Sequence, residues 1–280
     1  MADLVDESGH PRFIYGTAWK EEETERLTRL AIESGFRAID TANQRKHYVE
    51  DAVGAAIASA LDDGLLQREE LFVQTKFTYA AGQDHRIPYD PDAPYRRQVE
   101  TSFQSSLNHL QLETIDSYVL HGPSTRNGLA DADREVWSAL EALDASGQVD
   151  HIGISNVSAG QLELLVDEAD IAPDFVQNRC FARTGWDRRV RQICAKHDIS
   201  YQGFSLLTAN RRALKAPKVA QVAERYDRTI PQIVFRFALQ IGILPLTGTT
   251  SQEHMNQDLA VFDFALDDGD VETVESIARP

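Results

Sequence analysis

The chain is poor in cysteine, poor in basic charge and free of long apolar runs, and each shortage removes a class of function. Its 280 residues include two cysteines, Cys180 and Cys194, too far apart for a CxxC pair. A thiolate metal site or a disulfide-stapled secreted scaffold is therefore not expected, and reduced thiols in a cytoplasmic protein are. No apolar stretch approaches the roughly 18 residues that a membrane-spanning helix needs. Residues 1–10 also lack the basic and apolar regions of a secretory leader. Lys and Arg number 28 against 44 Asp and Glu, a formal net charge of −16. That field repels nucleic acid and anionic lipid, so neither is expected as a partner. None of the eight histidines forms a His-x-His pair, which argues against a zinc hydrolase. No G-x-S-x-G elbow and no G-x-G-x-x-G fingerprint occurs either.

What is present is an alternation. Short runs rich in β-branched and aromatic residues, at 13–15, 37–39, 71–73, 117–120, 152–154, 175–176, 200–203 and 243–246, predict eight strands. Apolar stripes of helical period lie between them. Leu27/Leu30/Ala31 is closed by Gly35, Val53/Ala56/Ile57/Ala60 by Gly64, and Val136/Leu140/Leu143 by Gly147. Val99/Phe103/Leu107/Leu110, Leu162/Leu165/Val166 and Val190/Ile193/Cys194 predict three more helices. Another, over Ile233/Val234/Phe237/Ile241, has Thr229 as N-cap and Pro231 in its first turn. With no Pro/Gly/Ser-rich linker, the pattern predicts an α/β protein, a (β/α)8 TIM barrel forming a single domain over residues 1–280. The longest irregular stretch, residues 79–95, carries Gly82, Pro88, Pro91 and Pro94 directly after the third strand. A loop there serves an active site or decorates the surface.

The carboxyl ends of barrel strands open on one mouth, so polar residues just past the apolar runs can meet. Asp40 follows Ala38-Ile39, Lys76 follows Val73-Gln74-Thr75, and His121 follows Tyr118-Val119-Leu120. Ser155-Asn156, Gln177-Asn178 and Phe204-Ser205 end later strands. Singly, a lysine there reads more readily as a solvated strand end, a histidine as a structural group, and Phe204 equally well as a core aromatic. Together with Tyr48, the first three supply a carboxylate, an ammonium, an imidazole and a phenol. Those groups suffice to protonate a carbonyl oxygen while hydride arrives from elsewhere.

The segments Phe36-Arg-Ala-Ile-Asp40-Thr-Ala, Val73-Gln-Thr-Lys76, Asp116-Ser-Tyr-Val-Leu-His121-Gly-Pro123, His151-Ile-Gly-Ile-Ser155-Asn156-Val and Asp263-Phe-Ala-Leu, in this order, resemble the aldo-keto reductases. The resemblance runs from about Ile14 to the C-terminus. It implies an NAD(P)H-dependent oxidoreductase that reduces an aldehyde or ketone to an alcohol, with Asp40, Lys76 and His121 catalytic. The cofactor would be NADP(H), with NAD(H) as the alternative, laid across the mouth without a Rossmann fold. The tyrosine is displaced in this chain. Counting the family's spacing forward from Asp40 reaches Arg45, which keeps its proton at neutral pH. Counting back from Val53-Gly54 reaches His47, beside Tyr48. The loop is thus two residues longer than usual, with Tyr48 as proton donor and His47 as the alternative. Lys76 would lower the Tyr48 pKa from its ordinary value near 10, Asp40 would hold Lys76 charged, and His121 would hydrogen-bond the substrate oxygen.

The same resemblance places the nicotinamide carboxamide on Ser155, Asn156 and Gln177, the ring on Phe204, and the pyrophosphate near Ser205 and Leu207. Gly16, Thr17, Asp40, Gly248, Thr249, Thr250, His254 and Asp258 complete the expected cofactor set. The lysine and arginine that grip a 2′-phosphate in the family correspond here to Gly248 and His254, which puts the NADPH preference in question. Arg211 and Arg212 open a basic run through Lys218, read as a phosphate-binding patch or as a cationic helix face. Trp19, His47, Phe77, His121 and Trp186 are expected to line the pocket of a small-molecule carbonyl substrate, and no metal is expected. A rival reading is a lyase, an isomerase or a cofactor-sensing partner on the same scaffold. The altered tyrosine loop is what keeps it open.

Overall fold

The structure is a computed structural model that describes residues 11–278. Both ends of the expected 1–280 domain, including the segment read above for a leader, lie outside the described residues. Eight parallel strands close into a barrel in sequence order: β1 (Ile14–Gly16), β2 (Ala38–Asp40), β3 (Phe72–Phe77), β4 (Ile115–Leu120), β5 (Val149–Ser155), β6 (Phe175–Arg179), β7 (Ser200–Phe204) and β8 (Ile243–Thr247). β8 pairs back onto β1, with Tyr15 opposite Thr247. Each predicted run forms a strand of the predicted (β/α)8 fold.

Around the barrel stand α1 (Thr24–Ser34), α2 (Glu50–Asp62), α3 (Tyr95–Leu110), α4 (Asp131–Ala145), α5 (Ala159–Glu168), α6 (Arg188–Lys196), α7 (Pro217–Tyr226), α8 (Ile230–Gln240), α9 (Gln252–Leu259) and α10 (Asp268–Glu275). Their stops are chemical. Gly35 ends α1 in the left-handed region at φ 110°, where it accommodates the turn at no steric cost. Thr229 caps α8 reciprocally with Gln232, and Pro231 sits in the first turn. α7, α9 and α10 were not expected as helices. α9 buries only Met255 and Asp258, too narrow a stripe to read from the sequence. No helix among the described residues is long and apolar enough to cross a membrane.

The barrel interior is layered. Ile14, Ala38, Phe72 and Phe175 form an apolar plug, with Leu244 and Leu246 against it. One step further along the same inward faces, period two fixes a polar layer: Asp40 after Ala38, Gln74 and Lys76 after Phe72, and Gln177 after Phe175. Outward strand residues face the helices instead. Behind β2 and β3, α2 approaches α3 so closely that a Cβ on Gly54 would stand 2.0 Å from the His109 carbonyl oxygen. Glycine is required there by backbone contact.

Candidate active site

Lys76 and Asp40 meet at the top of the polar layer, both buried, with Nζ 2.6 Å from Oδ1. Nζ also donates to the Thr41 carbonyl oxygen at 2.7 Å. Gln74 and Gln177 donate to the same Asp40 oxygen at 2.7 and 2.9 Å. Both amides also reach Gln202 Oε1. Burial lowers the Lys76 pKa, against the pull of Asp40.

Tyr48 arrives on the loop between β2 and α2. Its turn is closed by hydrogen bonds from the His47 and Tyr48 amides to the Gln44 carbonyl. Neighbouring loops hold it: Gln44 donates to Gly82 O, Gln83 to Asn43 O, and the Trp19 amide to His47 O. The irregular stretch after β3 thereby braces the tyrosine loop. The Tyr48 ring lies 5.4 Å from Lys76 Nζ and 6.0 Å, edge to face, from the His121 ring. His47 instead stacks on Trp19 at 3.9 Å, outside the cavity that Tyr48 lines. Tyr48 thus lines the cavity, and His47 lies beside Trp19. One expectation is corrected. The net shift of the Tyr48 pKa is upward and not downward: burial and then Asp40 push it well above the ordinary value.

His121 Nδ1 lies 2.7 Å from the Thr78 hydroxyl, which fixes the ring. Burial, then Lys76 and His47, push its pKa down to about 3, so the ring is neutral in any ordinary buffer. Asn156 Nδ2 donates to the His121 carbonyl at 2.8 Å and ties the β4 end to the β5 end.

These residues open onto a cavity of about 660 Å³ that runs from Tyr48 and His121 to His254 and Asp258. Gly16, Trp19, Asp40, Ser155, Asn156, Gln177, Phe204, Ser205, Leu207, Gly248, Thr249, His254 and Asp258 all line it. Three of them, Trp19, Asn156 and Ser205, hold left-handed φ values of 62°, 53° and 57°. Such backbone strain in non-glycine residues concentrates at functional sites. The Gln177 side-chain nitrogen is committed to Asp40 and Gln202, which leaves its oxygen for a ligand. Asp258 accepts a hydrogen bond from Thr247 Oγ1, and burial raises its pKa to about 7.

Several expected residues stand elsewhere. Phe77 faces outward from β3 and packs between Tyr79 and Tyr89 at 5.4 and 5.5 Å. It cannot line a substrate pocket, because Lys76 beside it takes the inward face. Trp186 is fully buried against Phe237, with its indole nitrogen donating to the Val274 carbonyl under α10. It too is core. Thr17 is buried below the cavity, with its hydroxyl on the Asp40 carbonyl oxygen. Thr250, Arg211 and Arg212 are exposed and do not line the cavity. The basic run starts on short 3-10 turns and enters α7 at Pro217.

Sequence reasoning missed Thr78, Gln74, Gln202 and Lys20. Gln74 and Gln202 carried a signal, being polar at inward positions of apolar strands. Lys20 carried none: its buried amine reaches the Gly248 carbonyl oxygen only because β8 closes on β1. Burial lowers its pKa to about 8. Among the described residues no cluster of His, Cys, Asp and Glu is arranged to hold a metal ion.

The model of the Aldo/keto reductase family matches residues 12–279. An aldo-keto reductase of Mycobacterium avium (strain 104) is 32% identical, covering 98% of this chain and 88% of its own. The uncharacterized oxidoreductase YtbE of Bacillus subtilis (strain 168) is 29% identical, covering 95% and 89%. A crystal structure of a Bombyx mori aldo-keto reductase in complex with NADP superposes with a TM-score of 0.81 at 26% identity, covering 97% of this chain and 91% of its own. The chain belongs to the aldo/keto reductase family of oxidoreductases.

Proposed function

We propose that this protein reduces the carbonyl group of a small aldehyde or ketone to an alcohol, with NADP(H) as cofactor and Tyr48 as proton donor. One observation carries the reading: Asp40, Lys76, His121 and Tyr48 converge from three strands and one loop at one end of a long cavity.

The residues present fit the cofactor. A nicotinamide dinucleotide is long, amphipathic and flat at both ends, and the cavity offers matching groups in order. Ser155, Asn156 and the free oxygen of Gln177 suit a carboxamide, and Phe204 offers a flat face to the ring. A Cβ on Gly248 would stand in ordinary contact, 3.6 Å from the Gly16 carbonyl oxygen and 3.6 Å from the Lys20 amine, which lies there for a phosphate. Family membership and the NADP in the Bombyx mori structure favour NADP(H). With Gly248 and His254 where relatives place lysine and arginine, NAD(H) is expected to bind as well.

The bound cofactor would supply hydride from nicotinamide C4. The protein's own groups handle the oxygen. Neutral His121, its Nδ1 engaged by Thr78, presents Nε2 to the substrate oxygen and orients it. Tyr48 keeps its proton at rest because burial and Asp40 disfavour phenolate. As negative charge develops on the substrate oxygen, the phenol donates, and the nearby Lys76 ammonium then stabilises the phenolate. Asp40 holds that ammonium charged and in place. The lyase, isomerase or sensor reading drew on the length of the tyrosine loop, and the position of Tyr48 beside His121 supports reduction instead.

The test is direct. Titration with NADPH and NADH followed by cofactor fluorescence, then cofactor consumption with a panel of aldehydes and ketones, should give binding and turnover. Failure of both cofactors to bind would end the reductase reading.

A further inference from the structure

Two residues beyond Tyr48 the chain buries a carboxylate that the reaction above does not use. Glu50 opens α2 and is 4% exposed. Its Oε1 accepts a hydrogen bond from the Thr75 hydroxyl, and its Oε2 lies 3.0 Å from His109 Nδ1 on α3. Thr75 is the outward neighbour of Lys76 on β3. Glu50 therefore pins the start of α2 to the strand carrying Lys76 and to the helix behind it.

The place matters because Tyr48 lines two cavities. One is the substrate cavity. The second, of about 320 Å³, is lined by Asn43, Arg45, Tyr48, Glu50, Arg86 and His109 among others. The Tyr48 hydroxyl makes no hydrogen bond among the described residues. A residue bordering two cavities is not fixed by close packing alone. Its position depends on how the chain is held on either side. On the N-terminal side Gln44 and Gln83 hold the loop. On the C-terminal side that role falls to Glu50. A carboxylate withdrawn from water costs stability unless it is hydrogen-bonded and paired, and here both conditions are met by residues with no other task.

We propose that Glu50 and His109 are positioning residues for Tyr48, and that charge on His109 keeps the phenol aimed into the substrate cavity. The inference rests on the reductase reading with Tyr48 as donor. The titratable and charged groups facing the pair are Asp51 on α2, Arg45 and Arg86 across the second cavity, Lys76 from β3 and Tyr118 from β4. The hydrogen bond to Glu50 raises the His109 pKa above its ordinary value, against burial. His109 is therefore charged in acid and loses its charge as pH rises through that raised value, so the clamp is strongest in acid and weakens toward alkali.

Steady-state kinetics of wild type, Glu50→Gln, His109→Gln and His109→Arg, between about pH 6 and pH 9, read the histidine window. NADPH titrations and NMR titration of the histidine rings accompany them. Glu50→Gln should lower kcat roughly ten- to a hundredfold through misplacement of the acid, with NADPH affinity unchanged. It should also lower the His109 midpoint. His109→Gln should lower kcat at acid and neutral pH to the alkaline wild-type level. His109→Arg, charged throughout, should restore kcat and hold it flat where wild type declines. Because His109 is partly exposed, its variants test the idea even if Glu50→Gln does not fold. Wild-type kcat in Glu50→Gln, or an unchanged alkaline decline in His109→Arg, overturns the clamp alone. Absence of turnover in the wild type overturns the reductase reading and the clamp with it.

Discussion

Asp40 Oδ1 stands 2.6 Å from Lys76 Nζ in a buried layer, and the same oxygen takes two amide hydrogens, from Gln74 and Gln177. The pair is unequal in its alternatives. Asp40→Ala leaves Lys76 with a backbone carbonyl and burial, so its amine stays charged at a cost or gives up its proton. A loss of about 3–5 kcal/mol in urea unfolding is expected. Lys76→Met leaves Asp40 with both glutamines and should cost less, about 1–3 kcal/mol. Equal losses would contradict this account of the layer. Both variants should lose turnover.

Tyr48→Phe should lower kcat by about 10²–10⁴-fold with NADPH affinity near wild type, because the phenol acts on developing charge and not on the dinucleotide. His47→Ala should change kcat little, since its ring lies on Trp19 outside the cavity. Single-turnover absorbance at the cofactor band measures both. Loss of turnover in His47→Ala with retention in Tyr48→Phe would move the acid to His47.

His121 should leave no inflection in the kcat profile at neutral pH, because its pKa in the fold is about 3 against an ordinary 6.5. Its folded value lies below its unfolded one, so the unfolded chain binds the extra proton. Stability therefore falls as pH drops below about 6.5 and goes on falling toward about 3. His121→Gln should remove that contribution. The stability of the variant relative to wild type, measured by urea unfolding at several pH values, should improve steadily toward acid. Thr78→Val should lower kcat by freeing the ring, with little effect on cofactor binding.

Trp186→Ala should cost about 3–5 kcal/mol as a core truncation, with KM for the carbonyl substrate close to wild type. Trp19→Ala should show the reverse, because Trp19 is 69% exposed and lines the cavity. Thermal melting with steady-state kinetics separates the two tryptophans. A raised KM in Trp186→Ala would return that residue to the pocket.

The eight strands were legible because apolar runs of period two are dictated by a buried wall, and Asp40, Lys76 and His121 were legible because each closes such a run. Tryptophan and phenylalanine carry no comparable mark. Phe77 and Trp186 read equally well as pocket or core until the strand phase and the α10 packing assigned them to the core. Arg211 and Arg212 read as a phosphate patch or a cationic helix face, and their chain segment turns them to solvent.

Periodicity and order along the chain, which are local properties, determined the barrel and set Asp40, Lys76 and His121 at the ends of its strands. Whatever depends on which strand ends meet was decided only by the tertiary structure. Closure of β8 on β1 brings Lys20 to Gly248, the β3 loop braces the turn between β2 and α2 so that the Tyr48 ring lies against His121, and helix packing brings Glu50 to His109. The physical reason is that hydrogen-bond reach is a few ångströms, and residues far apart in sequence come within it only when the whole wall has closed.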